Sequence, residues 1–189
     1  MILVRSAWFP PVHWFRLYLN QTETAISPLL GKGETFQANR SIIRGPNGLQ
    51  QLSIPLAKGP REDLRLIKPL NSQKWARECC NALKTAYGTS AFYRCYDYLI
   101  EPLFFKEYEH LFQLNMEALQ LICELLKLPK PAANDSGPHL NPDQETLKDF
   151  KDYGQYFTER YPFSPEVGVL DVLFHCGPLG GLILAGKEL

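Results

Sequence analysis

The 189-residue chain has no excess of either charge, with 20 Lys and Arg against 20 Asp and Glu. A dedicated nucleic-acid binder or a polybasic membrane-surface protein needs an overall field, and that field is absent. Cysteine pairing is missing as well. Cys79, Cys80, Cys95, Cys123 and Cys176 are odd in number and contain no Cys-x-x-Cys spacing. Neither zinc ligation at finger spacing nor a secreted disulfide framework fits, and reduced thiols in a cytoplasmic protein are expected. The apolar start is cut by Arg5 and then by Pro10-Pro11, so no signal-peptide core is expected. The most apolar stretch, 167–186, contains Asp171, His175, Gly177-Pro178 and Gly180-Gly181. A spanning helix tolerates a central carboxylate and a Gly-Pro break poorly, so no membrane span is expected. Gly-x-Ser-x-Gly, a Walker loop, His-Glu-x-x-His and Asp-x-Asp are all missing. Common nucleophile and metal motifs are thereby excluded, and no metal site is expected.

What is present is an ordinary core composition, 45% hydrophobic, with 12% aromatic residues and 15 prolines. A chain of this size buries roughly 70% of its unfolded surface and suits one domain, here residues 1–189. Residues 2–7 read as a buried strand. After Pro10-Pro11, an apolar stripe over 12–20 reads as a helix with proline in its first turn. Thr24 to Ser27 is a candidate strand. Residues 36–56 carry the clearest β pattern, two runs joined by Gly45-Pro46-Asn47-Gly48. Pro55 lacks an amide hydrogen and places its strand at an edge or near its end. Alternation over 64–70 predicts a further strand. From Ser72, an N-cap candidate, the period turns helical over 73–86, then 91–100 and 107–128. Pro129, Pro131, Pro138 and Pro142 mark an irregular loop, and short helices are expected over 153–161 and 167–176. The fold class is α+β: a small sheet that includes the hairpin, packed against several helices.

Three constellations could carry chemistry. The strand-to-helix turn at Phe9 to His13 places His13 in a first helical turn, where an anion is favoured and the imidazole can serve as acid or base. Its plainer reading is a packing turn with His13 at the rim. Asn39, Arg40 and Arg44 lie on the first hairpin strand, and the two arginines share a face because they are four apart. They form either a clamp for a diphosphate or carboxylate or a solvated strand face. Near the C-terminus stand Tyr153, Gln155, Tyr156, Asp171 and His175. In a helix Asp171 and His175 face one another at i and i+4, so the carboxylate can orient the imidazole. A carboxylate in an apolar run needs a partner, either backbone amides or an arginine such as Arg40. Cys79, Cys80, Cys95 and Cys123 read as small buried hydrophobes, and Trp8, Phe9, Trp14 and Trp75 as core or as a stacking surface.

Several segments together resemble the WbqC-like family, associated with bacterial O-antigen clusters. They are Trp8 to Phe15, Asn39-Arg40, Gly45 to Gly48, Leu52 to Leu56, Trp75, Ala86 to Gly88, Phe92-Tyr93, Tyr153 to Phe157, Phe163 to Pro165 and Leu170 to Pro178. The resemblance implies a cytoplasmic protein of surface-polysaccharide precursor synthesis, with an undefined reaction and an unknown cofactor. It favours a metal-independent transferase taking an activated sugar or acyl donor. Arg40 then holds the anionic group, Asp171 orients or acts as base, and His13 or Tyr156 supplies a hydrogen bond. Asn39, Arg44, Gln155 and His175 complete the substrate contacts. The rival expectation is a non-catalytic ligand-binding or accessory protein. It is favoured by departures from the family pattern: Ala38 in place of Arg, Cys79-Cys80 in place of His-Trp, and His175 in place of Asn. Neither oligomeric state nor strand order follows from the sequence.

Overall fold

A computed structural model describes residues 1–19, 23–30, 38–70, 72–139, 153–155 and 157–186. The architecture is α+β. Strand β1 (Ile2–Arg5) leads through the Pro10-Pro11 turn into helix α1 (Val12–Leu19) and then strand β2 (Thr24–Ser27). β1 and β2 pair in parallel, Ile2 opposite Thr24 and Arg5 opposite Ser27. The proline-rich loop flanks this pair on both sides, with Ala133 bridging to Ile26 and His139 to Leu3. The loop therefore supplies the hydrogen bonds that two edge strands lack.

Strands β3 (Arg40–Gly45) and β4 (Gly48–Ser53) form the antiparallel hairpin. Gly48 has φ +101°, the left-handed region that the turn requires and glycine enters without penalty. β4 stops two residues before Pro55, as the missing amide demands. The two strand pairs form separate sheets rather than one. The reason lies in the outer edge of β3. The Gly168 amide donates to the Ile42 carbonyl at 2.6 Å, and the Arg44 amide donates to the Tyr87 hydroxyl at 3.2 Å. That edge is already occupied, so no strand can add there.

The alternation over 64–70 does not make a strand. Asp63 caps the Arg65 amide at 2.9 Å and starts a single 3-10 turn, Leu64–Leu66, leaving only an isolated bridge between Leu56 and Pro69. Helix α2 (Gln73–Tyr87) begins at the expected cap, with Ser72 Oγ accepting from the Trp75 amide. Helices α3 (Tyr93–Ile100), α4 (Pro102–Phe105) and α5 (Leu111–Leu125) follow, and His110 Nδ1 caps α5 by accepting from the Gln113 amide at 3.1 Å. Leu111, Leu114, Ala118, Leu119 and Ile122 bury one stripe of α5 at helical spacing. After the loop come α6 (Leu170–Cys176) and α7 (Gly180–Leu184). The helix expected over 153–161 does not form among the described residues of that span. Its described residues form an irregular strap with one turn, in which the Phe157 carbonyl accepts from the Arg160 and Tyr161 amides.

Aromatic rings fill the centre. Trp8 packs on Phe9, Trp75 and Phe104 at centroid distances of 5.2, 5.8 and 6.0 Å, and all four are buried. These rings are core rather than a stacking surface for a sugar. Among the described residues, no helix is long and apolar enough to cross a membrane.

Candidate functional site

β3 points Arg40 and Arg44 to the same pleat face, yet they end in opposite environments. Arg40 lies exposed at the open end of the strand, whereas Arg44 is only 1% accessible. The strap from Phe157 to Ser164 crosses the hairpin near its turn and covers Arg44 alone. The Arg44 guanidinium donates from Nη1 to the Tyr161 carbonyl at 3.2 Å and from Nη2 to the Pro162 carbonyl at 2.7 Å. Its Nε has no hydrogen-bond partner among the described residues. The expected two-arginine clamp is therefore divided, since only one member is enclosed. Asn39 is used structurally, its amide donating to the Ile54 carbonyl at 2.7 Å and fastening the hairpin base.

Behind the strap lies a buried polar chain. Asp171, in the first turn of α6, is 0% exposed. Its Oδ2 accepts from the Tyr153 hydroxyl at 2.6 Å and lies 3.4 Å from His175 Nδ1. His175 thus faces Asp171 at i and i+4 as expected, and its Nδ1 also lies 2.7 Å from the Asp171 carbonyl. The carboxylate's partners are a phenol and an imidazole. Of the alternatives for this carboxylate, the pairing with Arg40 is not formed, because Arg40 stays at the surface while Asp171 is sealed in the core. Tyr87, fully buried at the end of α2, joins this chain to the hairpin. Burial pushes its phenol well above the ordinary value, and the Asp171 charge adds to the effect. Tyr153 is raised in the same way, first by burial and then by Asp171. Both phenols are held neutral as donors.

Gln155 holds the strap in place. Its Nε2 donates to the Ser164 carbonyl at 2.9 Å and to the Tyr153 hydroxyl at 2.9 Å, and its Oε1 accepts from the Ser164 amide at 3.0 Å. His13 lies on the far side of this segment. Its backbone amide and its Nδ1 both meet the Pro165 carbonyl, at 3.4 and 3.0 Å. Burial lowers the His13 pKa, opposed by the Pro165 contact and by the charge of Glu166. Tyr156 lies outside the described residues.

The strap and hairpin enclose a cleft of about 410 Å³ lined by Arg44, Leu49, Tyr161, Phe163, Pro165 and Glu166 among others. A second cleft of about 420 Å³ runs along the other part of the strap, from Gly154 to Arg160. The first combines a buried cation, two aromatic side chains and one carboxylate, which suits a small ligand with an anionic end and hydroxyl groups. Of the expected site residues, Arg44 lines this cleft and Gln155 lines its neighbour. Arg40, His13, Asp171 and His175 line neither of these two clefts. Tyr161, Glu166 and Tyr87 are additions. Tyr87 could have been suspected from the resemblance at Ala86 to Gly88, but Tyr161 and Glu166 carry no local signal.

The helix position where the family pattern has His-Trp is interior. Cys79 is buried in the aromatic core, and burial pushes its thiol up to about 12, so it offers no thiolate at neutral pH. Of the four cysteines expected to be buried, Cys79 and Cys123 are, Cys80 is half-buried and Cys95 is exposed. Among the described residues, no group of three or more His, Cys, Asp or Glu side chains could hold a metal ion.

Comparison with known protein families matches residues 34–149 to the WbqC-like protein family. No curated protein and no solved structure matches the chain. The matched span takes in the hairpin, with Arg44, and helices α2 to α5; Trp8 to Phe15 and Tyr153 to Pro178 lie outside it.

Proposed function

The chain belongs to the WbqC-like protein family, and on that premise we propose that it binds the activated sugar donor of a surface-polysaccharide or O-antigen precursor transferase in the cleft above Arg44. The observation that carries this reading is the state of Arg44. A guanidinium 1% exposed, with no carboxylate within salt-bridge distance among the described residues, sits against a cleft large enough for a small ligand. Buried cations are normally paired with anions, so an unpaired one at a cleft floor fits a phosphoryl group brought by the ligand. Tyr161 and Phe163 offer apolar faces for the sugar ring.

In this reading Glu166, on the cleft wall, accepts the proton of an incoming acceptor hydroxyl as its oxygen attacks the donor carbon. The phosphoryl leaving group departs with the bonding electron pair and is held by Arg44. Asp171 and His175 are sealed behind the strap and are assigned to holding it. A second reading, a non-catalytic ligand-binding protein of the same pathway, is favoured by one observation. The only acid and imidazole at i and i+4 in α6 are buried away from the cleft.

Thermal-shift measurement against nucleotide sugars, sugar phosphates and acyl-coenzyme A tests the binding step. A phosphorylated sugar should raise the melting temperature of wild type and of Glu166→Gln, with turnover lost only in the latter. A response confined to acyl-coenzyme A, or to no compound, refutes the donor assignment. Binding without turnover in wild type selects the second reading.

A further inference from the structure

We infer that the strap is an internal placeholder: the carbonyl oxygens of Tyr161 and Pro162 occupy the two positions on Arg44 that a ligand phosphoryl group takes when the strap lifts. The inference rests on the donor-binding reading above and adds an autoinhibitory contact to it.

Nη1 and Nη2 each hold one oxygen, at 3.2 and 2.7 Å, from two consecutive residues. That is the fork pattern by which arginine binds an oxyanion bidentately. Carbonyls offer dipoles where the cation favours full charge, and a charge-assisted bond is roughly twice as strong as a neutral one. Exchanging the carbonyls for a phosphoryl group is therefore favourable at Arg44 itself. While the strap is down, no ligand atom can reach the guanidinium, because Arg44 is almost completely inaccessible. Ligand capture at this residue requires the strap to move.

The bounds of the strap are set by identifiable contacts. Its two ends are hooked together by the Gln155 amide, which makes two hydrogen bonds to the Ser164 backbone, and Phe163 packs edge-on against Tyr153 at a centroid distance of 5.6 Å. Gly154 has φ +81°, a left-handed conformation that glycine enters without penalty, and no atom lies within 4 Å of where a Cβ would stand. Phe157, also left-handed at φ 61°, opens the single turn. Clefts lie along both parts of the segment, giving it space to shift. Beyond Ser164 the chain is anchored, with the Pro165 and Val167 carbonyls accepting from His13 and Val12. Residues 157–164 are thus the moving part and 165–169 the fixed base.

The test separates the strap from the site. Calorimetric titration with inorganic phosphate, glucose 1-phosphate and a uridine diphosphate sugar is run on wild type, Gln155→Ala and Arg44→Gln. Amide exchange at Ser164 is followed in the same proteins. Gln155→Met, which keeps the volume without either hydrogen bond or a charge, serves as a second variant should Gln155→Ala fold poorly. Releasing the hook should speed Ser164 exchange and tighten ligand binding about tenfold, because the apparent Kd falls as the open fraction rises. Arg44→Gln should lose at least about thirtyfold in affinity. Preference for the sugar compounds over inorganic phosphate assigns the source of the phosphoryl group as a sugar donor. Faster exchange in Gln155→Ala with unchanged affinity overturns the placeholder while leaving the donor reading intact. Failure of every compound to bind wild type or the hook variants overturns both.

Discussion

The Tyr153 hydroxyl donates a 2.6 Å hydrogen bond to Oδ2 of Asp171, tying the start of the C-terminal strap to a carboxylate sealed inside helix α6. Hydrogen bonds to charged groups contribute about 1.5–3 kcal/mol, and a buried carboxylate that loses its donor keeps its desolvation cost. Tyr153→Phe should therefore destabilise the protein by about 2 kcal/mol in urea unfolding. Asp171→Ala, which leaves the Tyr153 phenol and the His175 imidazole without their shared acceptor, should cost more, about 3–5 kcal/mol. A Tyr153→Phe effect near zero would remove this contact from the account.

The two buried phenols predict the alkaline behaviour. Tyr87 and Tyr153 are raised well above the ordinary value of 10.0, first by burial and then by Asp171. A group raised on folding contributes stability that is fully present below its unfolded pKa and is lost as pH rises toward the folded value. Stability should decline above about pH 10, where unfolded tyrosines ionise and these two do not. Ultraviolet titration should show late-ionising phenols, Tyr87 and Tyr153 among them, that ionise only as the chain unfolds. In Tyr87→Phe/Tyr153→Phe the decline should be shallower.

On the acid side the sign reverses at His13. Burial lowers its folded pKa, so its contribution is present above the ordinary value of 6.5 and is lost as pH falls through the lowered folded value. Melting temperatures at pH 7.5 and pH 5 should differ less in His13→Gln than in wild type. An unchanged difference would mean that Pro165 and Glu166 offset the burial completely.

A glycine at the base of the strap carries the most specific steric prediction. A Cβ on Gly168 would stand 2.5 Å from Ser41 Oγ, 3.0 Å from the Phe9 carbonyl oxygen and 3.1 Å from the Ile42 carbonyl oxygen. Gly168→Ala should destabilise by about 1–3 kcal/mol. Ser41→Ala removes the nearest atom but neither carbonyl, so Gly168→Ala/Ser41→Ala should recover only part of the loss beyond the cost of Ser41→Ala alone. Full recovery in a double-mutant cycle would show that the backbone contacts yield.

Local signals located most elements. Gly45 to Gly48 marked the β3–β4 turn, Ser72 marked the start of α2, and Thr24 to Ser27 is β2. The alternation over 64–70 misled because Asp63 bonds the Arg65 amide and turns the chain before a strand can form. The site was harder to read. Asp171 and His175 meet because helix geometry alone brings i and i+4 together. Arg40 and Arg44 look equivalent on a strand, and what separates them is a strap more than 100 residues away in sequence. Nothing near Arg44 in the chain announces that burial. Tyr161 and Glu166 reach the cleft through the same long-range crossing, and Tyr87 reads from its own helix as one more core aromatic.

The central claim is that Arg44, and not Arg40, holds the anionic end of the ligand. Isothermal titration of a uridine diphosphate sugar into wild type, Arg44→Gln and Arg40→Ala, with far-ultraviolet circular dichroism confirming the fold of each, tests it most directly. The account predicts at least a thirtyfold loss in Arg44→Gln, about 2 kcal/mol, and less than a threefold change in Arg40→Ala. Equal affinity in wild type and Arg44→Gln, or a loss confined to Arg40→Ala, would contradict it.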